Sequence, residues 1–171
     1  MEKEKIKDLM LKVDYEYHLI VKEILENDEF KKRMEYKHHE NRSVYTHSLM
    51  VSIQSYKIAK KLKLDYKSAA IGGLLHDFYY EDWQITKRSG IKNMHGFVHS
   101  KEALENSKKH FENLMNKRIE DIIEKHMFPL TIRPPKYKES FIINLVDKRC
   151  SLEVFKYPKE LYKYIGLKKK K

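Results

Sequence analysis

The chain has 171 residues and a formal net charge of +11 at pH 7, with 36 lysine and arginine residues against 25 aspartate and glutamate residues. This length predicts a single domain over residues 1–171 with a sizeable hydrophobic core. The one cysteine excludes an intramolecular disulfide and no apolar run is long enough to span a membrane, so we expect a protein of the reducing cytoplasm without a membrane partner.

Apolar residues recur mostly at steps of three and four and no convincing alternating run occurs, which predicts an all-α chain of about seven helices. Ser43, and Asp65 together with Ser68, are predicted N-caps. The predicted helices cover about residues 4–27, 28–37, 44–62, the helix after Asp65 that carries the stretch LLHD, 97–115, 118–127 and 138–155. We expect helices 4–37 to pack on a core of about residues 42–155, with a basic tail at 166–171.

Four histidines fall on the apolar faces of these helices. They are His47 in SVYTHSLMV, His76 at the end of AAIGGLLHD, His99 in HSKEA and His126 in IIEKHMFPL. The small residues in AAIGG allow a neighbouring helix to approach closely. Asp147, in FIINLVDKRCS, shares a helix face with Ile143 and Cys150, so an acidic side chain also faces inward.

A buried histidine or carboxylate is costly unless it has a partner, and each of these residues taken singly would be a hydrogen-bonded core residue. Four inward histidines and two inward aspartates, Asp77 and Asp147, would require several independent arrangements of that kind. One metal centre satisfies them together. Imidazole and carboxylate ligands without cysteine favour iron, manganese or zinc over a thiolate site.

The ordered set of His47, then His76 with Asp77, then Asp147, each on a helix, resembles the HD-domain metal-dependent phosphohydrolase superfamily. His99 and His126 are similar to elements found in the branch of that superfamily that binds two metals. The resemblance spans about residues 42–152, and HDFYYEDW, HGFVHS and HMFPL look like a bacterial subgroup similar to the small two-metal HD hydrolases. It implies an HD-domain helical bundle.

The resemblance implies that His47, His76, Asp77 and Asp147 bind a first metal ion. It also implies that Asp77 bridges to a second ion, held in addition by His99 and His126. Two divalent transition metal ions, iron or manganese, would activate a water to attack phosphorus, so the chain need not supply a separate nucleophile. Asp77 is then the central catalytic residue, and Arg42, Lys148 and Arg149 are candidates for neutralising the phosphate.

The sequence also departs from the patterns of relatives. Tyr80 stands where many two-metal relatives carry a lysine, which indicates a rearranged phosphate site or a different substrate. Glu81 and Asp82 do not match the spacing of the acidic pair in bacterial alarmone hydrolases. The glycine-tyrosine-proline signature of cyclic-dinucleotide phosphodiesterases is missing. His95 is predicted to lie outside the helix of His99, where it would contact substrate or support a ligand.

Together these features predict a cytosolic metal-dependent phosphohydrolase that acts on a nucleotide or another small phosphate ester or anhydride. The alternatives are a di-iron oxygenase of the same superfamily and a non-enzymatic module that binds a nucleotide or nucleic acid. Only six of the 36 basic residues are arginine, and scattered lysine is typical of a solvated surface. The charge therefore favours a small anionic, phosphate-containing substrate over a nucleic acid.

Overall fold

A computed structural model describes residues 2–38, 42–80 and 95–152. Eight α-helices make up most of these ranges, and two short strands pair antiparallel. The elements are α1 (Glu2–Met10), α2 (Tyr15–Glu26), α3 (Asp28–Lys31), a 3₁₀ turn (Lys32–Met34), β1 (Lys37–His38), β2 (Arg42–Ser43), α4 (Val44–Lys61), α5 (Tyr66–Leu75), α6 (His95–His110), a 3₁₀ turn (Glu112–Leu114), α7 (Lys117–Lys125) and α8 (Lys138–Leu152). The predicted all-α class is confirmed. No helix in the described ranges has the length and apolar character that crossing a bilayer requires.

The helix predicted over residues 4–27 is two helices, because Asp14 caps a new start. The Asp14 carboxylate accepts a hydrogen bond of 3.0 Å from the backbone N–H of Tyr17, which begins α2. The same carboxylate accepts bonds of 2.7 Å from the Tyr56 hydroxyl and 2.8 Å from the Lys60 ammonium, both on α4. This break accounts for eight α-helices in the described ranges where about seven are predicted.

Both predicted N-caps are present. The Ser43 hydroxyl accepts from the Thr46 N–H at 3.1 Å and begins α4, and Asp65 accepts from the Ser68 N–H at 3.0 Å and begins α5. An N-cap satisfies a helix donor that otherwise has no partner, so it fixes the residue at which the helix starts. These two caps therefore set the positions along α4 and α5 of the side chains that follow.

Helices α4 and α5 approach each other closely where α5 carries the small residues Ala70 and Gly73. A Cβ atom on Gly73 would lie 2.7 Å from the Ser52 Cα atom. The Ser52 hydroxyl donates to the Ala70 carbonyl at 2.7 Å and is also 2.7 Å from the Tyr17 hydroxyl, so α2 joins the same contact. The close approach predicted from AAIGG is confirmed, and it places the end of α5 against α4.

Two groups of buried apolar side chains surround this contact. One joins α2, α4 and α5 to residues that follow α5 and α6, and includes Tyr17, Leu49, Leu74, Phe78 and Phe111. The other lies where α8 packs on α4, α5 and α7, and includes Val51, Ala69, Ile122, Ile143 and Cys150. The helices that supply these apolar faces also carry a set of buried histidine and aspartate side chains.

Candidate metal centre

Six buried polar side chains from five segments of the fold come together in one cluster. They are His47 on α4, His76 and Asp77 directly after α5, His99 on α6, His126 directly after α7, and Asp147 on α8. Each is less than one-tenth exposed. The structure thus brings together all six residues that the sequence analysis assigned to a metal centre.

The first part of the cluster contains two histidines and two carboxylates. The Nε2 atom of His47 lies 3.0 Å from Asp147 Oδ1 and 3.9 Å from Asp77 Oδ2. The Nε2 atom of His76 lies 3.3 Å from Asp77 Oδ2 and 3.7 Å from Asp147 Oδ1. Four potential ligand atoms with two negative charges therefore face one another, and His47, His76 and Asp77 have the spacing of a group that could hold a metal ion.

The second part shares Asp77 with the first. The Nε2 atoms of His99 and His126 lie 2.9 Å apart, and each is 3.5 Å from Asp77 Oδ1. Two ligand atoms about 2.0 to 2.2 Å from one metal ion are about 3 Å apart when they meet it at a right angle, and further apart at wider angles. These three residues therefore also have the spacing and the donor chemistry of a metal site.

The two oxygens of the Asp77 carboxylate face different histidines. Oδ2 is directed at His76 and His47, whereas Oδ1 is directed at His99 and His126. A carboxylate can give one oxygen to each of two ions, so this orientation is the one that a bridging ligand requires. The two groups of ligands are joined through this single side chain.

Backbone carbonyls fix the orientation of two of the imidazole rings. His76 Nδ1 lies 2.9 Å from the Gly73 carbonyl oxygen, and His126 Nδ1 lies 2.8 Å from the Ile123 carbonyl oxygen. A carbonyl only accepts, so Nδ1 carries the proton in both rings and Nε2 is the atom that faces the carboxylates. Within the described ranges, no hydrogen bond reaches His76 Nε2, which is buried. A metal ion at that position would supply the partner.

The electrostatic balance of the cluster favours a bound cation. Burial lowers the pKa of His126 to about 3, aided by the nearby His99 and His76, so its ring is neutral near pH 7. Burial alone would raise the pKa of Asp77 and of Asp147, but the neighbouring histidines hold both below the ordinary value. Burial opposes charge on His76 as well, yet the two carboxylates raise its pKa well above the ordinary value. Either a proton on His76 or a metal ion can offset this negative charge.

Of the three residues predicted to neutralise the phosphate, Arg149 is exposed on α8, and Lys148 and Arg42 have different surroundings. The Lys148 ammonium donates to the Phe128 carbonyl oxygen and, at 2.7 Å, to Asn144 Oδ1. These bonds use two of its three donors, and burial lowers its pKa. Arg42 lies in β2, immediately before the helix of His47, and its side chain falls outside the described part of the structure.

The prediction that His95 precedes the helix of His99 is wrong, because α6 begins at His95. Gly96 does not prevent this, since a glycine in the first turn loses no intrahelical hydrogen bond of its own N–H. The His95 side chain, Glu81 and Asp82 all fall outside the described residues. His110, near the end of α6, is partly buried.

Tyr80, which takes the place of the lysine that the sequence resemblance leads us to expect, contacts His110 and Arg33. Its hydroxyl lies 2.8 Å from His110 Nε2, and the Arg33 guanidinium carbon lies 4.8 Å from the centre of its ring. Its backbone N–H donates to Glu102 at 2.9 Å. These contacts hold the chain that leaves the cluster after Asp77.

Two residues beside the cluster were missed by the sequence analysis. Tyr79 is buried, with its ring centre 5.7 Å from that of His99. Asn144 is buried on α8 and donates to the carbonyl oxygens of His126 and Phe128. The available signal for Asn144 was its position three residues before Asp147, which places both on one helix face. Tyr79 lies two residues after Asp77 and carries no comparable signal.

Comparison with protein families identifies the chain. The family model of the HD domain matches residues 44–152, which is more than half of the chain and contains all six clustered residues. The chain belongs to the HD domain family, as the sequence resemblance predicted. Comparison with curated proteins and comparison with solved structures each gave no match.

Proposed function

We propose that this protein is a metal-dependent phosphohydrolase that uses two divalent transition metal ions, iron or manganese. Membership of the HD domain family supports this proposal, because HD domains are typically metal-dependent phosphohydrolases. The buried histidine and aspartate groups support it independently, since their spacing and chemistry fit metal binding. We propose further that the protein is cytoplasmic and that it acts on a nucleotide or another small phosphate ester or anhydride.

The orientation of Asp77 is the observation that carries the two-ion proposal. His47, His76, Asp77 and Asp147 would hold the first ion, and Asp77, His99 and His126 would hold the second. The Asp77 oxygens already face the two groups separately. Without that division, six clustered residues would argue equally well for one ion.

The chemistry follows from the ligand set. Two such ions, when bound, lower the pKa of a water and screen the charge of a phosphoryl group. The six clustered residues would hold the ions and, being buried, shield them from solvent. The Gly73 and Ile123 carbonyl oxygens orient the rings of His76 and His126. Arg42, before α4, and the remaining donor of Lys148 are proposed to contact the phosphate. The positive net charge of +11 favours approach of an anionic substrate.

The test begins with metal content, measured by elemental analysis of protein purified without chelator or affinity tag. Two equivalents of iron or manganese per chain support the proposal, whereas no metal after reconstitution overturns it in favour of a binding module. Phosphate release is then measured across a panel of nucleotides with Mn²⁺. Oxygen consumption with strict dependence on iron, and no phosphate release, would instead identify a di-iron oxygenase.

A further inference from the structure

The C-terminal end of α7 delivers one of the clustered histidines. The helix ends at Lys125, and His126 follows directly. The last carbonyls of a helix have no partner within it. Pro129 also has no N–H group that could close a further turn. The carbonyl oxygens of His126 and Phe128 therefore depend on donors from elsewhere in the fold.

Helix α8 supplies those donors. The Asn144 amide nitrogen donates to the His126 carbonyl oxygen at 2.5 Å and to the Phe128 carbonyl oxygen at 2.6 Å. The Lys148 ammonium donates to the same Phe128 oxygen, and to Asn144 Oδ1 at 2.7 Å. Both polar atoms of the Asn144 side chain are thus used, and that side chain is almost fully buried. The lysine charge also lies at the negative end of the α7 dipole.

One turn of α8 makes these contacts and also contributes to the other half of the cluster. Asn144 and Lys148 are four residues apart and lie on one helix face. Asp147, between them, extends to His47 at 3.0 Å. A single turn of α8 therefore carries Asp147 and also holds the main chain of His126, so it sets the position of one relative to the other. The Ile123 carbonyl oxygen sets the orientation of the His126 ring.

We propose that Asn144 is a positioning residue for the second metal ion. It acts through His126: the two bonds of its amide hold the main chain so that His126 Nε2 stays 3.5 Å from Asp77 Oδ1 and 2.9 Å from His99 Nε2. Lys148 supports it by holding the Asn144 oxygen and the Phe128 carbonyl. This inference rests on the proposed two-ion function. It predicts that removing the Asn144 amide lowers the metal affinity of the second site and not that of the first.

The test compares Mn²⁺ binding by wild-type protein and by Asn144→Ala, each stripped with chelator and titrated by calorimetry. The matched control is Ser140→Ala, because Ser140 is buried on the same helix and its hydroxyl donates to Asp121 at 2.7 Å, away from the cluster. We expect Asn144→Ala to weaken the second Mn²⁺ by about 10- to 100-fold while the first changes by less than about threefold. Ser140→Ala should leave both affinities unchanged.

Two results overturn the inference. Unchanged affinity for both ions in Asn144→Ala would show that the amide bonds do not position His126, and equal weakening of both would show a role in general stability. If Asn144→Ala does not fold, Lys148→Met carries the same test, and Lys148→Arg should restore the second affinity because it restores the cationic donors. Wild-type protein that binds fewer than two Mn²⁺ would overturn the two-ion proposal on which this inference rests, whereas two ions with an unaffected variant would overturn only the role of Asn144.

Discussion

The carboxylate of Asp77 lies between the imidazoles of His76 and His99, with Oδ2 at 3.3 Å from His76 Nε2 and Oδ1 at 3.5 Å from His99 Nε2. One side chain therefore contributes to both groups of ligand atoms. A change at Asp77 must affect both groups, while a change at a histidine affects one. This difference gives the cluster a clear mutational signature.

Asp77→Asn should abolish binding of both ions and lower phosphate release by more than about 100-fold, because removal of a ligand costs more than removal of a group that only supports one. Asparagine keeps the size of the side chain but not its charge. Elemental analysis and a phosphate-release assay measure the two effects. Asp28→Asn, at an exposed position on α3, is the control and should match wild type. Full activity in Asp77→Asn would contradict the mechanism.

His126→Ala should lose mainly the second ion, so that metal content falls from about two equivalents to about one. Its Nε2 atom faces His99 and Asp77 Oδ1, and the first group of ligands does not need it. Metal content is measured by elemental analysis, with His18→Ala on α2 as a control that should keep both ions. An unchanged metal content of about two equivalents in His126→Ala would show that His126 does not hold the second ion.

Gly73→Ala should destabilise the fold by about 1 to 3 kcal/mol, because overpacking forces the backbone to shift. The added Cβ would lie 2.7 Å from the backbone of Ser52. Gly72→Ala is the comparison, because its Cβ would lie 2.7 Å from Ile122 Cγ2, so a side chain rather than a backbone has to shift there. Urea unfolding of the two variants measures the difference. An equal cost for both would show that the backbone contact of Gly73 with Ser52 is no more restrictive than the side-chain contact of Gly72 with Ile122.

Acid should remove a contribution of Asp14 to stability. The hydrogen bond from Lys60, followed by that from Tyr56, lowers the Asp14 pKa from 3.8 to about 2. A folded-state pKa below the unfolded value stabilises the fold above about pH 4, and this contribution is lost as the pH falls towards 2. The side chain is about half exposed, with 49% of its surface accessible, so we expect less than about 1 kcal/mol.

Asp14→Asn isolates that contribution, because asparagine is also a good N-cap and only the charge is removed. The free energy of unfolding in urea is measured for both proteins at pH 6 and at pH 2.5. Wild type should be the more stable at pH 6, and the difference should shrink at pH 2.5. A difference that does not change with pH would show that the ion pair with Lys60 does not contribute.

Metal removal should lower thermal stability. A ligand that binds only the folded state stabilises it by about 2.7 kcal/mol when its concentration is 100 times the dissociation constant. Treatment with chelator should therefore lower the Tm, and Mn²⁺ should restore it. Asp77→Asn should show neither change. A Tm that is insensitive to chelator in wild-type protein would argue against metal binding to the folded cluster.

The sequence predicted the inward faces of the helices well, because helical periodicity is a local property. His47 and His126 have apolar neighbours at helical spacing, and both are almost fully buried in the fold. Ser43 and Asp65 were identified as caps for the same reason: a cap bonds to a residue three positions away. The local sequence pattern was sufficient to predict a residue's role wherever the residue that it contacts is close in sequence.

Features that depend on distant partners could not be predicted. The break at Asp14 is fixed partly by Lys60, which is 46 residues away. The bonds from Lys148 to Phe128 span 20 residues, so a lysine beside a ligand position suggested phosphate contact rather than attachment to a helix end. The start of α6 differs from the predicted one because glycine is normally a weak helix former, whereas Gly96 lies in the first turn, where a glycine costs little.

Gly73 meets two requirements at one position. It leaves room for Ser52, and its carbonyl oxygen orients His76 by a bond of 2.9 Å to Nδ1. Any side chain would push α5 away from α4 and turn the imidazole with it. A pattern search for proteins with this helix pair should therefore require glycine three residues before the histidine of the histidine-aspartate pair, which is more selective than the dipeptide alone.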